Sequence, residues 1–224
     1  MYGIFSNILC LCGNQANRHL RQAKLGTLNS LIIAYGNKIG SAAYEVIIVE
    51  LATLISDSDL HMTALALELC CTLMVDRSSP VVGLALRSKV LPQALPLIRS
   101  SLVQGLALSA LQKNFASLVY SANTSFDALL DSLLLSAKPS PQLGGVAKQA
   151  LYSIAQCVAV LCLAAGDQQC SSTVKMLTEI LKDDSTTNSV SRPVRKKDEI
   201  NPIMIIFTDD RIWWCKQTVI VQLG

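Results

Sequence analysis

His61, Glu68, Cys70 and Cys71 lie within eleven residues of one another in LISDSDLHMTALALELCCTLM (residues 54–74). Imidazole, carboxylate and thiol groups are the materials of zinc sites and nucleophilic sites. Their spacing argues against both. Adjacent side chains on a helix diverge by about 100°, so Cys70 and Cys71 point apart, and His61 with Glu68 is not the His-Glu-x-x-His pattern that sets two ligands on one face. Cys10 and Cys12 are one residue short of the usual Cys-x-x-Cys hook, and no second pair of suitable spacing follows. A hydrolase needs a nucleophile, a positioned base and an oxyanion hole. Only His19 and His61 offer an imidazole base, both in helical stretches, and there is no Gly-x-Ser-x-Gly elbow. No phosphate loop or dinucleotide-binding glycine pattern occurs either, and Gly144 with Gly145 reads as a helix connector. The expectation is a chain with no catalytic activity, no metal and no cofactor.

The elements that carry these residues are helical. Tyr44 to Ile55 sets Ile47, Leu51, Leu54 and Ile55 at i, i+4, i+7 and i+8, one face of a helix. The polar knot Ser56-Asp57-Ser58-Asp59 ends that helix. Short Ser and Asp side chains accept hydrogen bonds from the free N–H groups of a helix start, so Ser58 or Asp59 is expected to cap a second helix through Met74. The same grammar recurs along the chain. Lys89 to Arg99 reads as a short helix that Pro92 and Pro96 should break or kink, Ser100 and Ser101 as its turn, and Leu102 to Tyr120 as its partner. Phe126 to Ala137 pairs with Val146 to Ala165 across KPSPQLGG, and Ser171 to Lys182 opens another pair with Val174, Leu177 and Leu181 facing inward. Arg18 to Tyr35 reads as a second helix whose partner lies mostly outside the chain.

Composition agrees with packed helices. Half of the 224 residues are hydrophobic, which is enough for a substantial core, while only 5% are aromatic and 16% charged, unlike a Tyr- and Thr-rich sandwich. Residues 1–191 carry 13 basic and 12 acidic side chains, so the main body shows no nucleic-acid footprint. The start, MYGIFSNILCLCGNQ, lacks the basic n-region and small-residue cleavage site of a secretory signal, and Leu151 to Gly166 is too short for a span and contains Gln156. These features read as intracellular, with no membrane partner. The eight cysteines sit mainly in apolar runs without a regular framework and read as buried thiols.

Aligned second helices put Leu28, Leu67, Leu108 and Leu151 in comparable places, at separations of 39, 41 and 43 residues. That period belongs to HEAT or armadillo units, whose helix pairs cannot bury their own apolar faces and therefore stack. The two-helix elbow favours an all-α, HEAT-type α-solenoid, with a compact helical bundle as the remaining alternative. The strings LRQAKLGTLNSLI, YEVIIVELATLISDSDLHMTALALELCCTLM, LRSKVLPQALPLIRSSLVQGLALSALQ, ALYSIAQCVAVLCLAAG and STVKMLTEILKDDSTTNS resemble the central HEAT repeats of the cullin-associated neddylation-dissociated (Cand) family, its plant members most of all. The resemblance covers residues 14–189. It implies a noncatalytic scaffold that wraps a cullin–RING complex lacking its ubiquitin-like modification, promotes substrate-receptor exchange and supports assembly of SCF-type ubiquitin ligases, in cytoplasm or nucleus. A generic HEAT adaptor or transport-receptor-like segment with other partners is the alternative. Residues 1–13 and 190–224 do not resemble the family, and the latter, VSRPVRKKDEINPIMIIFTDDRIWWCKQTVIVQLG with its flanks, reads as an atypical, poorly ordered tail.

For partner contact, a solenoid uses its concave helix faces and inter-repeat turns. The turn positions expected to contribute are Ser56, Asp57, Ser58, Asp59, Ser100, Ser101, Lys182, Asp183 and Asp184, each of which also suits a simple capping role. The basic cluster Arg192, Arg195, Lys196 and Lys197 has the composition of a nuclear-localisation or nucleic-acid patch, but at four charges followed at once by Asp198 and Glu199 it reads as a solvated linker. Trp213 and Trp214 suit either a partner anchor or a cap over the last repeat.

Overall fold

The computed structural model describes residues 17–75, 80–121, 124–138 and 146–187, with the side chains of all but residues 37, 75, 80 and 180–187. The segment 1–13, the Cys10 and Cys12 pair, the Gly144 and Gly145 connector, the basic cluster and the tail 190–224 lie outside them. Among the described residues there are eight helices and no strand. They are α1 (Arg18–Tyr35), α2 (Ser41–Thr53), α3 (Leu60–Val75), α4, α5 (Gly105–Tyr120), α6 (Phe126–Ser136), α7 (Lys148–Ala165) and α8 (Asp167–Thr187). The fourth, α4, runs without a break through Pro80–Ala85, a π-helical turn Leu86–Val90, and Leu91–Leu97.

These helices form the two layers of an α-solenoid. The second helices pack in series, α1 on α3, α3 on α5 and α5 on α7, while the first helices α2, α4 and α6 pack in series beside them. α2 packs on α3, α6 on α7, and α8 on α7 as the start of the next pair. Leu28, Leu67, Leu108 and Leu151, the positions aligned through their repeat spacing, are all buried in the layer of second helices. Around them Ile32, Leu73, Leu111, Phe115, Ile154 and Val158 complete one continuous core.

Local chemistry explains where the helices begin and bend. The side chain of Asn17 accepts from the His19 N–H and caps α1. α4 begins well before the expected Lys89, because Val82, Leu86, Val90, Ala94 and Ile98 keep an apolar seam buried across the whole segment. A spacing of four drifts around a regular helix of 3.6 residues per turn, and the wider π turn corrects it. The same turn immediately precedes Pro92, whose ring would collide with the carbonyl four residues back in a regular helix. The expected proline kink is therefore absorbed as a π turn, not a break. Gly166 joins α7 directly to α8 at φ 95°, a conformation that only glycine enters without strain, so α8 starts four residues earlier than Ser171. α7 is 18 residues long, longer than its apolar run suggested, and apolar enough by length and composition to cross a membrane, yet 56% of it is buried against its neighbours. Its solvent stripe is the one read from sequence, with Lys148 and Tyr152 exposed and Gln149 and Gln156 half-buried.

Polar groups tie one repeat to the next. The Arg99 guanidinium, at the end of α4, donates to the carbonyls of Ser136 and Lys138 at 2.7 and 3.1 Å, closing the C-terminus of α6. The Ser153 hydroxyl of α7 donates to the Val103 carbonyl in the turn before α5, at 3.2 Å. A cation at a helix C-terminus also meets the negative end of the helix dipole. Replacing Arg99 by Ala should lower the stability of the chain by about 2 kcal/mol, since charge-assisted hydrogen bonds contribute about 1.5–3 kcal/mol. Urea denaturation followed by circular dichroism should show a lower midpoint at unchanged slope.

Candidate protein-binding surface

The turn between α2 and α3 is a rigid elbow. Thr63, fully buried, donates through its hydroxyl to the carbonyls of Leu54 and Ser56 at 3.0 and 2.7 Å, and that same oxygen accepts from the Ser56 N–H at 3.0 Å. This lock was not legible beforehand, because a threonine inside an apolar helical run looks like a neutral filler. Ser56 and Ser58 share a hydrogen bond at 2.6 Å between their hydroxyls. Asp59 is the N-cap of α3, its carboxylate accepting from the Met62 N–H at 3.2 Å, which resolves the choice between Ser58 and Asp59. It also holds Arg18 of the preceding repeat at 3.1 Å. Burial pushes the Asp59 carboxyl up, but the Met62 N–H, the charge and hydrogen bond of Arg18, and the His61 N–H outweigh it, so its pKa lies below the ordinary 3.8. Asp57, Ser58 and His61 with Arg18 line an open cleft of about 390 Å³ at this elbow.

Ser100 and Ser101 form the corresponding turn between α4 and α5, where the Ser100 hydroxyl accepts from the Leu102 N–H at 3.4 Å. Both turns join a first helix to a second, so Ser56 to Asp59 and Ser100 to Ser101 share one edge of the stack. Lys182, Asp183 and Asp184 do not: their backbone continues α8, so the expected turn is absent and no elbow is made there. The reason is that the helix formers preceding them carry on through a polar stretch without a glycine or proline to stop it.

The thiols behave as small apolar groups. Cys70 is fully buried, and burial drives its pKa far up. Cys71, the next residue round α3, is half-buried near Ser117 and Asn114, and burial raises it to about 11. Burial likewise lifts Cys162 to about 11. Among the described residues no three His, Cys, Asp or Glu side chains come together to hold an ion. Cys170 departs from the thiol reading, being disulfide-bonded.

Sequence reasoning passed over the outer face of the second helices. Leu106, Tyr120, Tyr152 and Leu163 are exposed there, at 70%, 72%, 39% and 49%. Between them lie an ion pair from Lys113 to Glu68 at 3.8 Å and a hydrogen bond from the Gln112 amide to Gln156 at 3.2 Å, each bridging adjacent second helices. The signal was available in the spacing 106, 113, 120 of α5, two turns apart along one stripe.

Stacked helix pairs, rigid elbows and a broad solvent face define a helical-repeat scaffold. No family model matches the chain. It is 72% identical over 179 residues to Cullin-associated NEDD8-dissociated protein 1 of Arabidopsis thaliana, a match covering 80% of this chain and 15% of that protein. It is 35% identical over 148 residues to the protein of the same name from Dictyostelium discoideum (65% of this chain, 12% of the relative). With the one from Drosophila melanogaster it shares 31% over 193 residues (76% and 15%). The chain belongs to the family of cullin-associated NEDD8-dissociated proteins, and it spans about 15% of the length of the Arabidopsis relative.

The double role of Asp59 sets a pH-dependent expectation. Because the folded carboxyl holds its proton less tightly than the unfolded one, its stabilisation is full above pH 3.8 and lost as pH falls through the lowered folded value. Asp59→Ala should cost about 1 kcal/mol near neutral pH, the usual loss for an N-cap. Asp59→Asn, which still caps, should cost less. The gap between wild type and Asp59→Ala in urea midpoint should close as the pH is taken below about 4.

Proposed function

We propose that the chain is a noncatalytic scaffold segment that binds a cullin–RING complex lacking the ubiquitin-like modification. Within a longer protein of this family it would take part in substrate-receptor exchange and so in assembly of SCF-type ubiquitin ligases, in cytoplasm or nucleus. The observation that carries this reading is the 72% identity over 179 residues to a protein named for cullin association. Sequence identity of that extent preserves exposed positions as well as the core, and exposed positions are where a scaffold meets its partner. At the elbows, Asp57, Ser58 and Ser101 are the exposed members of the turn set and the ones we assign to partner contact. Ser56, Asp59 and Ser100 are half-buried and serve the turns.

Equilibrium binding of the purified chain to an unmodified cullin–RING complex tests the proposal, with the modified complex and a chain ending at Ser189 alongside. The expected result is submillimolar affinity for the unmodified complex, weaker binding to the modified one, and little change on removing the tail. A folded chain with no detectable affinity for either complex would contradict it.

A further inference from the structure

The stack is open at its first end. Among the described residues α1 packs extensively on α3 alone, whereas α3 has α1 on one side and α5 on the other. In the register set by Leu28, Leu67, Leu108 and Leu151, Thr27, Ser30 and Ala34 of α1 correspond to Ala66, Leu69 and Leu73 of α3. The same register gives Ala107, Ala110 and Asn114 in α5, then Ala150, Ser153 and Cys157 in α7. All nine residues in the later helices are buried, while Thr27, Ser30 and Ala34 are exposed. The outward face of α1 is therefore half of an interface that every later second helix completes. From Leu25 to Tyr35 the helix carries no charged side chain. The hydroxyls of Thr27 and Ser30 donate to the carbonyls of Ala23 and Gly26 within α1, at 2.8 and 3.1 Å, so their protons are already engaged. An uncharged solenoid end of this kind calls for a cap.

A matching segment stands directly ahead of α1 in the chain. α2 buries Tyr44, Ile47, Ile48 and Leu51, an aromatic residue followed by aliphatic ones at i+3, i+4 and i+7. α6 repeats the pattern with Phe126, Leu129, Leu130 and Leu133, all packed into the core. Phe5, Ile8, Leu9 and Cys12 have the same spacing, with an aromatic residue again first. They precede their counterparts in α2 by 39 residues, which is also the separation of Leu28 from Leu67. Gly13 follows, the residue at which helices commonly stop. The five residues between Cys12 and Arg18 span up to about 17 Å, more than the roughly 8–10 Å between the axes of packed helices.

We propose that residues 4–12 form the first helix of the first pair and cover the exposed face of α1 with Phe5, Ile8, Leu9 and Cys12. This gives α1 a partner from within the chain. Residues 1–13 lie outside the family resemblance, so the cover is a feature of this chain, and it stands independently of the cullin reading. A second copy of the chain stacked on the same face is the competing occupant.

Hydrogen exchange on the full chain at two protein concentrations tests the proposal, with the variants Ser30→Lys, Ile8→Asp and the control Asn7→Asp. Ser30 is exposed and lysine is a good helix former, so on a face open to solvent Ser30→Lys changes nothing. Asn7 falls on the far side of the segment from its apolar face. Expected are slowed exchange at the amides of residues 8–12 in the wild type at both concentrations, and exchange about tenfold faster there in Ser30→Lys. Ile8→Asp should speed exchange in α1 by about tenfold and Asn7→Asp by less than about twofold. Unchanged protection of α5 and α7 in these variants distinguishes loss of the cover from unfolding of the stack. Wild-type amides 8–12 that exchange as fast as a free peptide would overturn the proposal, as would a Ser30→Lys chain in which they stay protected. Protection of α1 that rises with concentration, together with a dimer in sedimentation, would overturn it in favour of the second copy.

Discussion

Everything in this chain depends on the burial of one second helix against the next. A single helix pair such as α2 and α3 has apolar side chains on more than one face, and only stacking removes the remaining face from water. Leu67 is fully buried in α3, a helix that packs more extensively on α1 and α5 than on its own partner α2. The side chains that carry this burial are Leu, Ile, Val and Ala, with Phe115 the one large ring in the centre of α5. Truncating such a side chain costs about 2–5 kcal/mol, so the contacts between repeats and the contacts within them are of the same order. Polar links are auxiliary: Arg99, Ser153 and the Arg18 to Asp59 pair fix the angle at which one pair meets the next without supplying the attraction.

Much of this was legible in the sequence because it is periodic. The repeat spacing found the four leucines at the centre of the second-helix layer, and the Ser and Asp knot located the first elbow. The resemblance to the family supplied the rest of the architecture. What stayed hidden came from backbone geometry and from contacts between distant residues. Pro92 and Pro96 read as a break or kink, whereas α4 runs through both, with a π turn ahead of Pro92 and its apolar seam intact. Lys182 to Asp184 read as a turn because they are polar, but polarity alone does not stop a helix. Asn114 is buried on α5 beside Cys71 of α3, a position that no propensity rule would assign to asparagine.

The candidate site was less legible than the fold for a physical reason. An active site is built from rare side chains at short spacings, and the cluster of His61, Glu68, Cys70 and Cys71 has such a look. Among the described residues no three of them converge, and burial makes Cys70 part of the core while Cys71 stays half-buried. The exposed face of the second helices is made of ordinary residues, Leu106, Lys113, Tyr120 and Tyr152, whose exposure depends on the neighbouring helix. Exposure is a property of the stack, and one helix read alone does not contain it.

Hydrogen exchange on the intact chain and on Leu67→Ala tests the stacking claim most directly. If the second helices share one core, α3, α5 and α7 exchange slowest in the wild type, and the substitution raises exchange in α1 and α5 as well as in α3. Should the loss stay within α2 and α3 while α5 and α7 keep full protection, the pairs are independent units and the account of one continuous core is wrong.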